Sequence, residues 1–159
     1  SRTMSVAQRL YESGHITYMR TDSVSLSKDA MTSAQQQITR SFGSHYCNPR
    51  KYQNKNKSAQ EAHEAIRPTN FGLSSLDNDS PEDKLYKLIW RKTIASQMSD
   101  AEIEKTTIEI GFEGISQHFL STGEVIKFDG FLKVYNLQGQ IFLFYLPYDL
   151  KMFSLNILL

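Results

Sequence analysis

The chain has 159 residues, of which 40% are hydrophobic, 11% aromatic and 22% charged, as in an ordinary globular domain. This composition excludes a collagen, a long disordered tail and a disulfide scaffold, and the single cysteine, Cys47, favours a reducing cytoplasm. The net charge of +1 conceals an asymmetry. Residues 1–70 hold ten Lys/Arg and five Asp/Glu, whereas residues 71–159 hold eight Lys/Arg and twelve Asp/Glu. The first part therefore favours a polyanionic partner.

Apolar residues at helical spacing predict four helices in the first two-thirds of the chain. Each has a start or stop signal, such as a serine at the N-cap or a glycine after the last turn. In the fourth helix we expect the core face to hold Leu85, Leu88, Ile89 and Ala95, opposite a basic stripe. The predicted helices are Thr3–Ser13, Lys28–Phe42, Ala59–Ile66 and Pro81–Met98.

Two further patterns set the predicted fold class. A short β-prone run, Ile16–Arg20, separates the first two helices, an order typical of winged-helix or helix-turn-helix units. From Lys105 onward, apolar residues alternate with polar ones, which predicts strands near residues 106–112, 118–121, 124–128 and 131–135, with turns at Thr122-Gly123 and Asp129-Gly130. We therefore predict an α+β fold, in which a mainly helical winged-helix or helix-turn-helix-like domain precedes a partial antiparallel β domain.

The predicted boundaries divide the chain into a helical domain at 1–103, a partial β domain at 104–135 and an atypical apolar tail at 136–159. Polar residues and Pro147 interrupt the tail, so it does not predict a transmembrane helix, and we expect no membrane partner. No signal peptide precedes the first helix, and the start resembles a cut made inside a longer protein.

The densest polar cluster runs from Thr17 to Ser23 and includes Tyr18, Arg20 and Asp22. A tyrosine hydroxyl can attack a phosphodiester, and an arginine two residues away on an extended segment points to the same side of the backbone. Its guanidinium can hold a phosphate by two hydrogen bonds and neutralise developing charge. Taken alone, a tyrosine on a short strand is more often a packing residue, so both interpretations stay open here.

A second cluster lies at residues 62–68, where His63 and Arg67 are one helical turn apart and can face the same phosphate. The alternative is a histidine satisfied by a helix carbonyl or by Glu64. The cluster lacks the second histidine of a His-Glu-x-x-His zinc motif, and Cys47 has no partner cysteine, so no metal site is predicted in this chain.

Four ordered motifs together resemble the type IA DNA topoisomerases of bacteria. The first combines a helix with the Tyr18 cluster, and the second contains His63. The third lies on the predicted fourth helix, and the last lies in the β segment. These motifs are Thr3–Gly14 with Ile16–Ser23, Ala62–Thr69, Leu85–Arg91 and Ile126–Tyr135.

The resemblance implies that Tyr18 is the nucleophile that cuts one DNA strand and forms a 5′-phosphotyrosyl intermediate, with Arg20 on the scissile phosphate. His63 is implied to contact that phosphate or to assist proton movement. Supporting DNA-binding roles are implied for Thr17, Asp22, Arg67 and Arg91. The reaction it implies is an isomerisation that lets another strand pass through the cut and relaxes negative supercoils.

The family also implies groups that this chain lacks. Its Mg²⁺ is bound by an acidic Asp-x-Asp cluster. The Asp-x-Asp run present here, Asp77-Asn78-Asp79, is better interpreted as a turn ahead of the fourth helix, so the magnesium ligands are expected outside this chain. The implied partners are DNA, especially single-stranded DNA, and the missing magnesium-binding and other domains of the same polypeptide. We expect a cytoplasmic protein at the bacterial nucleoid, and no activity from the chain alone.

Two other functions remain to be separated from this one. A non-catalytic winged-helix DNA-binding module has the same fold without the chemistry, although such a module has no need of Tyr18, Arg20 and His63 together. A tyrosine recombinase is disfavoured, because that chemistry uses several dispersed basic residues and a tyrosine late in the domain.

Overall fold

The computed structural model describes residues 1–52, 64–77, 79–111, 113–114, 116 and 118–135. These residues form three α-helices, two β-strands and two short 3-10 helices, which confirms the predicted α+β class. The chain divides into two compact units. Among the described residues, the first consists of 1–100 and 129–135, and the second consists of Ala101–Phe128.

Helices α2 and α3 begin where their capping serines predict, and α1 begins one residue before the predicted Thr3. Helix α1 spans Arg2–Glu12, α2 spans Lys28–Phe42 and α3 spans Pro81–Ser96. The Ser27 side chain accepts a hydrogen bond from the Ala30 N–H at the start of α2, and the Ser80 side chain accepts one from the Asp83 N–H in α3. No helix among the described residues is long and apolar enough to cross a bilayer.

The core of the first unit lies between these helices. Helix α1 contributes Val6, Ala7 and Leu10, as its periodicity predicts, and α2 contributes Ala30, Ala34 and Ile38. Helix α1 also contacts α3 through an ion pair of 2.5 Å between Arg9 Nη2 and Glu82 Oε1. Burial of these side chains supplies the main driving force for this unit.

The buried face of α3 differs from the predicted one. Tyr86, Trp90 and Ile94 are buried, whereas Leu88 is 58% exposed. The two aromatic residues can enter the core because their polar atoms find backbone carbonyls: the Tyr86 hydroxyl donates to Leu73 O at 2.8 Å, and Trp90 Nε1 donates to Phe71 O at 2.9 Å. Hydrophobicity alone does not show that these partners exist.

The predicted helix at Ala59–Ile66 falls largely outside the described residues, which resume at Glu64. Residues 64–66 are not helical. They continue into an irregular segment in which Pro68 forms an isolated antiparallel bridge with Ile16. This segment pairs with residues that precede and follow Tyr18, and it is therefore central to the site described below.

The second unit contains a two-stranded antiparallel ribbon of β1, Glu102–Ile110, and β2, Phe119–Phe128. The predicted turn at Thr122-Gly123 is wrong, because both residues lie inside β2 and Gly123 is the register partner of Thr106. The two short strands predicted near residues 118–121 and 124–128 are therefore one continuous strand, β2, which pairs with β1 along its length. Most of the large apolar side chains of the ribbon are exposed, among them Ile103, Ile108, Ile110, Phe119 and Leu120.

The last predicted strand, residues 131–135, is also wrong. The chain forms a 3-10 helix, Gly130–Tyr135, and belongs to the first unit rather than to the β unit. The Phe131 N–H donates to Ser99 O at 2.9 Å, and the Tyr46 hydroxyl donates to Asp129 Oδ1 at 2.7 Å. These contacts bind the segment to the helical core. The predicted apolar tail at 136–159 lies outside the described residues.

Candidate active site

Burial alternates along the loop that carries the candidate nucleophile. Tyr18 is 41% exposed, Met19 is buried at 8% exposure, and Arg20 is exposed. Met19 therefore anchors the segment in the protein, while the phenol and the guanidinium on either side of it remain open to solvent. This arrangement suits a pair of groups that act on a large external ligand.

The two charged side chains of this loop are not neutralised by the described part of the protein. Neither Arg20 nor Asp22 forms an ion pair with any described residue, and both are exposed. An arginine without a carboxylate partner keeps its full hydrogen-bonding fork for a phosphate. In the same part of the chain, no hydrogen bond or ion pair joins Tyr18 to Arg20 or to Asp22.

The start of the loop is fixed by Thr17. Its N–H donates to Arg67 O at 2.9 Å, and its hydroxyl donates to Ala65 O at 2.8 Å and accepts from the Arg67 N–H at 2.9 Å. Thr17 was predicted to support DNA binding, but its hydroxyl is occupied by the backbone of the 64–69 segment. The geometry supports a structural role in which Thr17 fixes the backbone at the start of the loop, directly before Tyr18.

The end of the loop is held by the same segment. The Ala65 N–H donates to Ser25 O at 2.8 Å, and Glu64 Oε1 accepts a 2.8 Å hydrogen bond from the Ser27 N–H at the start of α2. Residues 64–69 thus contact the chain on both sides of Tyr18. We call this segment, Glu64–Thr69, the clamp.

Glu64 and Arg67 form the charged part of the clamp. Arg67 Nε donates to Glu64 Oε1 at 2.8 Å and Arg67 Nη2 donates to Glu64 Oε2 at 2.9 Å, a bidentate pair that leaves the arginine side chain only 17% exposed. The guanidinium also lies 5.9 Å from the centre of the Phe71 ring. Partial burial acts to raise the pKa of Glu64, but the hydrogen bonds from Arg67 and Ser27 outweigh it and lower that pKa.

The remaining predicted residues are less closely associated with Tyr18. Arg91 is half-buried on α3, and within the described ranges no hydrogen bond or ion pair links it to Tyr18. His63 lies outside the described residues, immediately before Glu64 in the sequence. The roles of Arg67 and Arg91 in DNA binding, and the role of His63 at the phosphate, stay predictions.

Two residues that were not predicted as site residues contact the site directly. Glu64 joins the clamp to α2, and Tyr11 places its ring 5.3 Å from the ring of Tyr18, at 68° between the planes. The opposite charges of Glu64 and Arg67 three residues apart were a signal for their pairing. Helical spacing places Tyr11 on the same face of α1 as Val6 and Leu10, which predicts a core position, but 42% of Tyr11 is exposed.

The described residues do not form a magnesium site. No group of three or more His, Cys, Asp or Glu side chains lies together in the described ranges. Glu64, the acidic residue of the clamp, is already occupied by Arg67 and Ser27. This chain's described residues therefore do not fit the ion, and no chemical step is assigned through it.

Comparisons with known proteins agree on one family. Residues 1–141 match a family model described as DNA topoisomerase. The chain is 48% identical over 145 residues to the DNA topoisomerase 1 of Mycobacterium leprae and 48% identical over 146 residues to that of Mycolicibacterium smegmatis; both alignments cover 84% of this chain. It spans only about 15% of the length of these relatives.

A solved structure supports the same family. The full-length topoisomerase I of Thermotoga maritima matches 92% of this chain and 25% of its own length, with 34% sequence identity and a TM-score of 0.72. The two proteins are therefore similar in amino-acid sequence as well as in fold.

We expect the Glu64 carboxylate to stabilise the fold in a pH-dependent way. Because folding lowers its pKa, its contribution is complete above the pKa of an unfolded glutamate and is lost as the pH falls through the folded value. Glu64→Gln should lower the free energy of unfolding by about 1–2 kcal/mol at pH 7. The difference should shrink below about pH 4. Denaturant unfolding at several pH values measures it.

Glu12→Gln is the matched control, because Glu12 lies on exposed helix surface and, among the described residues, accepts a hydrogen bond only from Gln8 Nε2 four residues away. It should change the free energy of unfolding by less than about 0.5 kcal/mol at either pH. A Glu64→Gln effect that is absent at pH 7, or equally large in acid, contradicts the proposed electrostatic role.

Proposed function

The chain belongs to the type IA DNA topoisomerase family, and on that premise we propose that the protein carrying it cuts and reseals one DNA strand through Tyr18. The observation that supports this most is the exposure of Tyr18 and Arg20 on either side of buried Met19, in a loop held at both ends by the clamp. Since the chain spans only about 15% of its relatives, the activity belongs to the whole protein and remains a proposal.

In the proposed reaction, the Tyr18 phenolic oxygen attacks a backbone phosphorus. The bond from that phosphorus to the 3′ oxygen of the preceding nucleotide breaks, leaving a 3′ hydroxyl and a 5′-phosphotyrosyl link. One ester replaces another, so energy is conserved for resealing, in which the 3′ hydroxyl attacks the same phosphorus and releases Tyr18. After resealing, the DNA and Tyr18 have the same covalent bonds as at the start, and only the topology of the DNA has changed.

Two side chains are proposed to assist this exchange. Arg20 holds the scissile phosphate and neutralises charge that builds on its oxygens, for which its unpaired guanidinium is suited. His63 contacts the phosphate or assists transfer of the proton that the phenol loses and the 3′ oxygen gains. Magnesium, if bound elsewhere in the protein, supplies further positive charge near the DNA.

We propose that the β ribbon belongs to a larger arch that encloses the DNA strand. A two-stranded ribbon is marginally stable alone, and this one exposes Ile108, Ile110 and Leu120. Further strands of the same polypeptide are the expected cover for these side chains. Because the substrate is DNA, we expect contacts with the phosphate backbone that weaken with salt, and a location at the bacterial nucleoid.

The test uses a chimera in which residues 1–135 replace the matching segment of the Mycolicibacterium smegmatis DNA topoisomerase 1. A single-stranded oligonucleotide labelled at its 3′ end is incubated with the chimera, and the reaction is stopped with denaturant. We expect a labelled protein–DNA adduct that is absent in Tyr18→Phe, because only a 5′-phosphotyrosyl link retains the 3′ part of the strand. A 5′ label should leave as free DNA.

Tyr52→Phe is the control, since Tyr52 is also 41% exposed and the proposal gives it no role in the reaction. This variant should form the adduct at the parental level. An adduct that persists in Tyr18→Phe, or transfer of the 5′ label instead of the 3′ label, contradicts the proposed reaction. DNA binding without any adduct in the unsubstituted chimera favours the non-catalytic binding module.

The role of Arg20 makes a separate prediction. In the same chimera, Arg20→Ala should lower the single-turnover cleavage rate by about 100- to 1,000-fold, because charge on the phosphate is no longer neutralised. Arg20→Lys should recover part of that loss, since lysine restores the charge without the bidentate fork. Lys28→Ala, which removes an exposed cation outside the loop, is the control. Parental cleavage by Arg20→Ala contradicts the role.

A further inference from the structure

The Tyr18 side chain has little that fixes its direction within the described part of the protein. Its hydroxyl forms no hydrogen bond to any described residue, and residues 18–22 form no backbone–backbone hydrogen bond there. In the same part of the protein, the ring of Tyr11 contacts the ring of Tyr18, with centroids 5.3 Å apart and planes at 68°. This is the edge-to-face geometry that aromatic pairs prefer.

Tyr11 is held much more firmly than Tyr18. It lies in the last turn of α1, directly after Leu10, which is 1% exposed. The turn that follows is closed by hydrogen bonds from the Gly14 N–H to Tyr11 O and from the His15 N–H to Leu10 O, both at 2.9 Å. The backbone of Tyr11 is therefore fixed on a packed helix, and its ring can restrain the neighbouring ring on the loop.

We infer that Tyr11 is a positioning residue for the nucleophile: its ring restricts the rotation of the Tyr18 side chain, so that the phenolic oxygen is presented in one direction to the DNA. The inference deepens the proposed function, on which it rests. The hydroxyl of Tyr11 takes no part in the step, and its ring does not bind the substrate. Removal of the ring should therefore slow cleavage without weakening DNA binding.

A different role for Tyr11 predicts different kinetics. An exposed aromatic ring near a single strand can stack on a base, and loss of such a ring lowers DNA affinity. A ring that only orients Tyr18 affects the rate constant of the bound complex. The comparison of affinity with single-turnover rate at saturating DNA therefore separates the two roles.

The kinetic test compares Tyr11→Leu and Tyr11→Phe in the chimera described above. Tyr11→Leu should lower the cleavage rate constant at saturating DNA by about 3- to 10-fold, the effect of one aromatic pair, and leave the dissociation constant for DNA within about twofold of the parental value. Tyr11→Phe retains the ring and should cleave at the parental rate. Met4→Ala removes another exposed apolar side chain of α1 and serves as the control.

A spectroscopic test examines the contact in the 159-residue chain itself, without DNA. With ring-labelled tyrosine, the resonances of Tyr18 are identified by their loss in Tyr18→Phe. They should shift in Tyr11→Leu, where the neighbouring ring is gone, and stay close to the parental position in Tyr11→Phe.

Four results overturn the inference. These are parental cleavage by Tyr11→Leu, a fall in DNA affinity that accounts for the whole loss of rate, a Tyr11→Phe variant as slow as Tyr11→Leu, and unchanged Tyr18 resonances in Tyr11→Leu. None of them affects the adduct test with Tyr18→Phe. Failure of that test rejects the proposed function instead, so the two failures are distinguishable.

Discussion

The site depends on a single constraint, the attachment of the clamp to both ends of the Tyr18 loop. Thr17 is bound to the backbone of Ala65 and Arg67 on one side, and Ser25 and Ser27 are bound to Ala65 and Glu64 on the other. A loop that is fixed at its two ends and anchored by one buried residue can hold its exposed side chains in place without forming a helix or a strand. The clamp lies far from this loop in sequence, so the site forms only when the first unit folds.

The clamp also shows that arginines of the same region differ in their pairing and burial. Arg67 forms a bidentate pair with Glu64 and is mostly covered, so its charge is neutralised within the protein. Arg20 is exposed and unpaired in the described residues, so its charge remains available to an anion. Burial and pairing therefore separate a structural cation from one suited to DNA. The net positive charge of the first half of the sequence therefore includes charge that is already paired within the protein.

Sequence patterns predicted the structure correctly where it is decided by residues close together in the chain. The serine caps gave the starts of α2 and α3. Tyr18 and Arg20 are both exposed, but the β-prone run that contains them forms only an isolated bridge at Ile16 and not the predicted strand. The predicted core face of α3 and the predicted last strand were wrong, because contacts with residues distant in the sequence decide both. Tyr86 and Trp90 face the core because carbonyls of the 71–73 segment receive their polar hydrogens, and the 131–135 segment packs on the first unit instead of extending the sheet. Single-sequence patterns contain no information about such partners.

The most direct test of the clamp is amide hydrogen exchange in the intact chain. The N–H groups of Thr17, Ala65 and Thr69 donate to backbone carbonyls across the clamp at 2.8–3.0 Å, whereas the N–H of Arg20 has no such partner among the described residues. We expect the three clamp amides to exchange at least about 100-fold more slowly than their intrinsic rates, and the Arg20 amide to exchange close to its intrinsic rate. Exchange of Thr17 and Ala65 as fast as that of Arg20 would contradict this expectation.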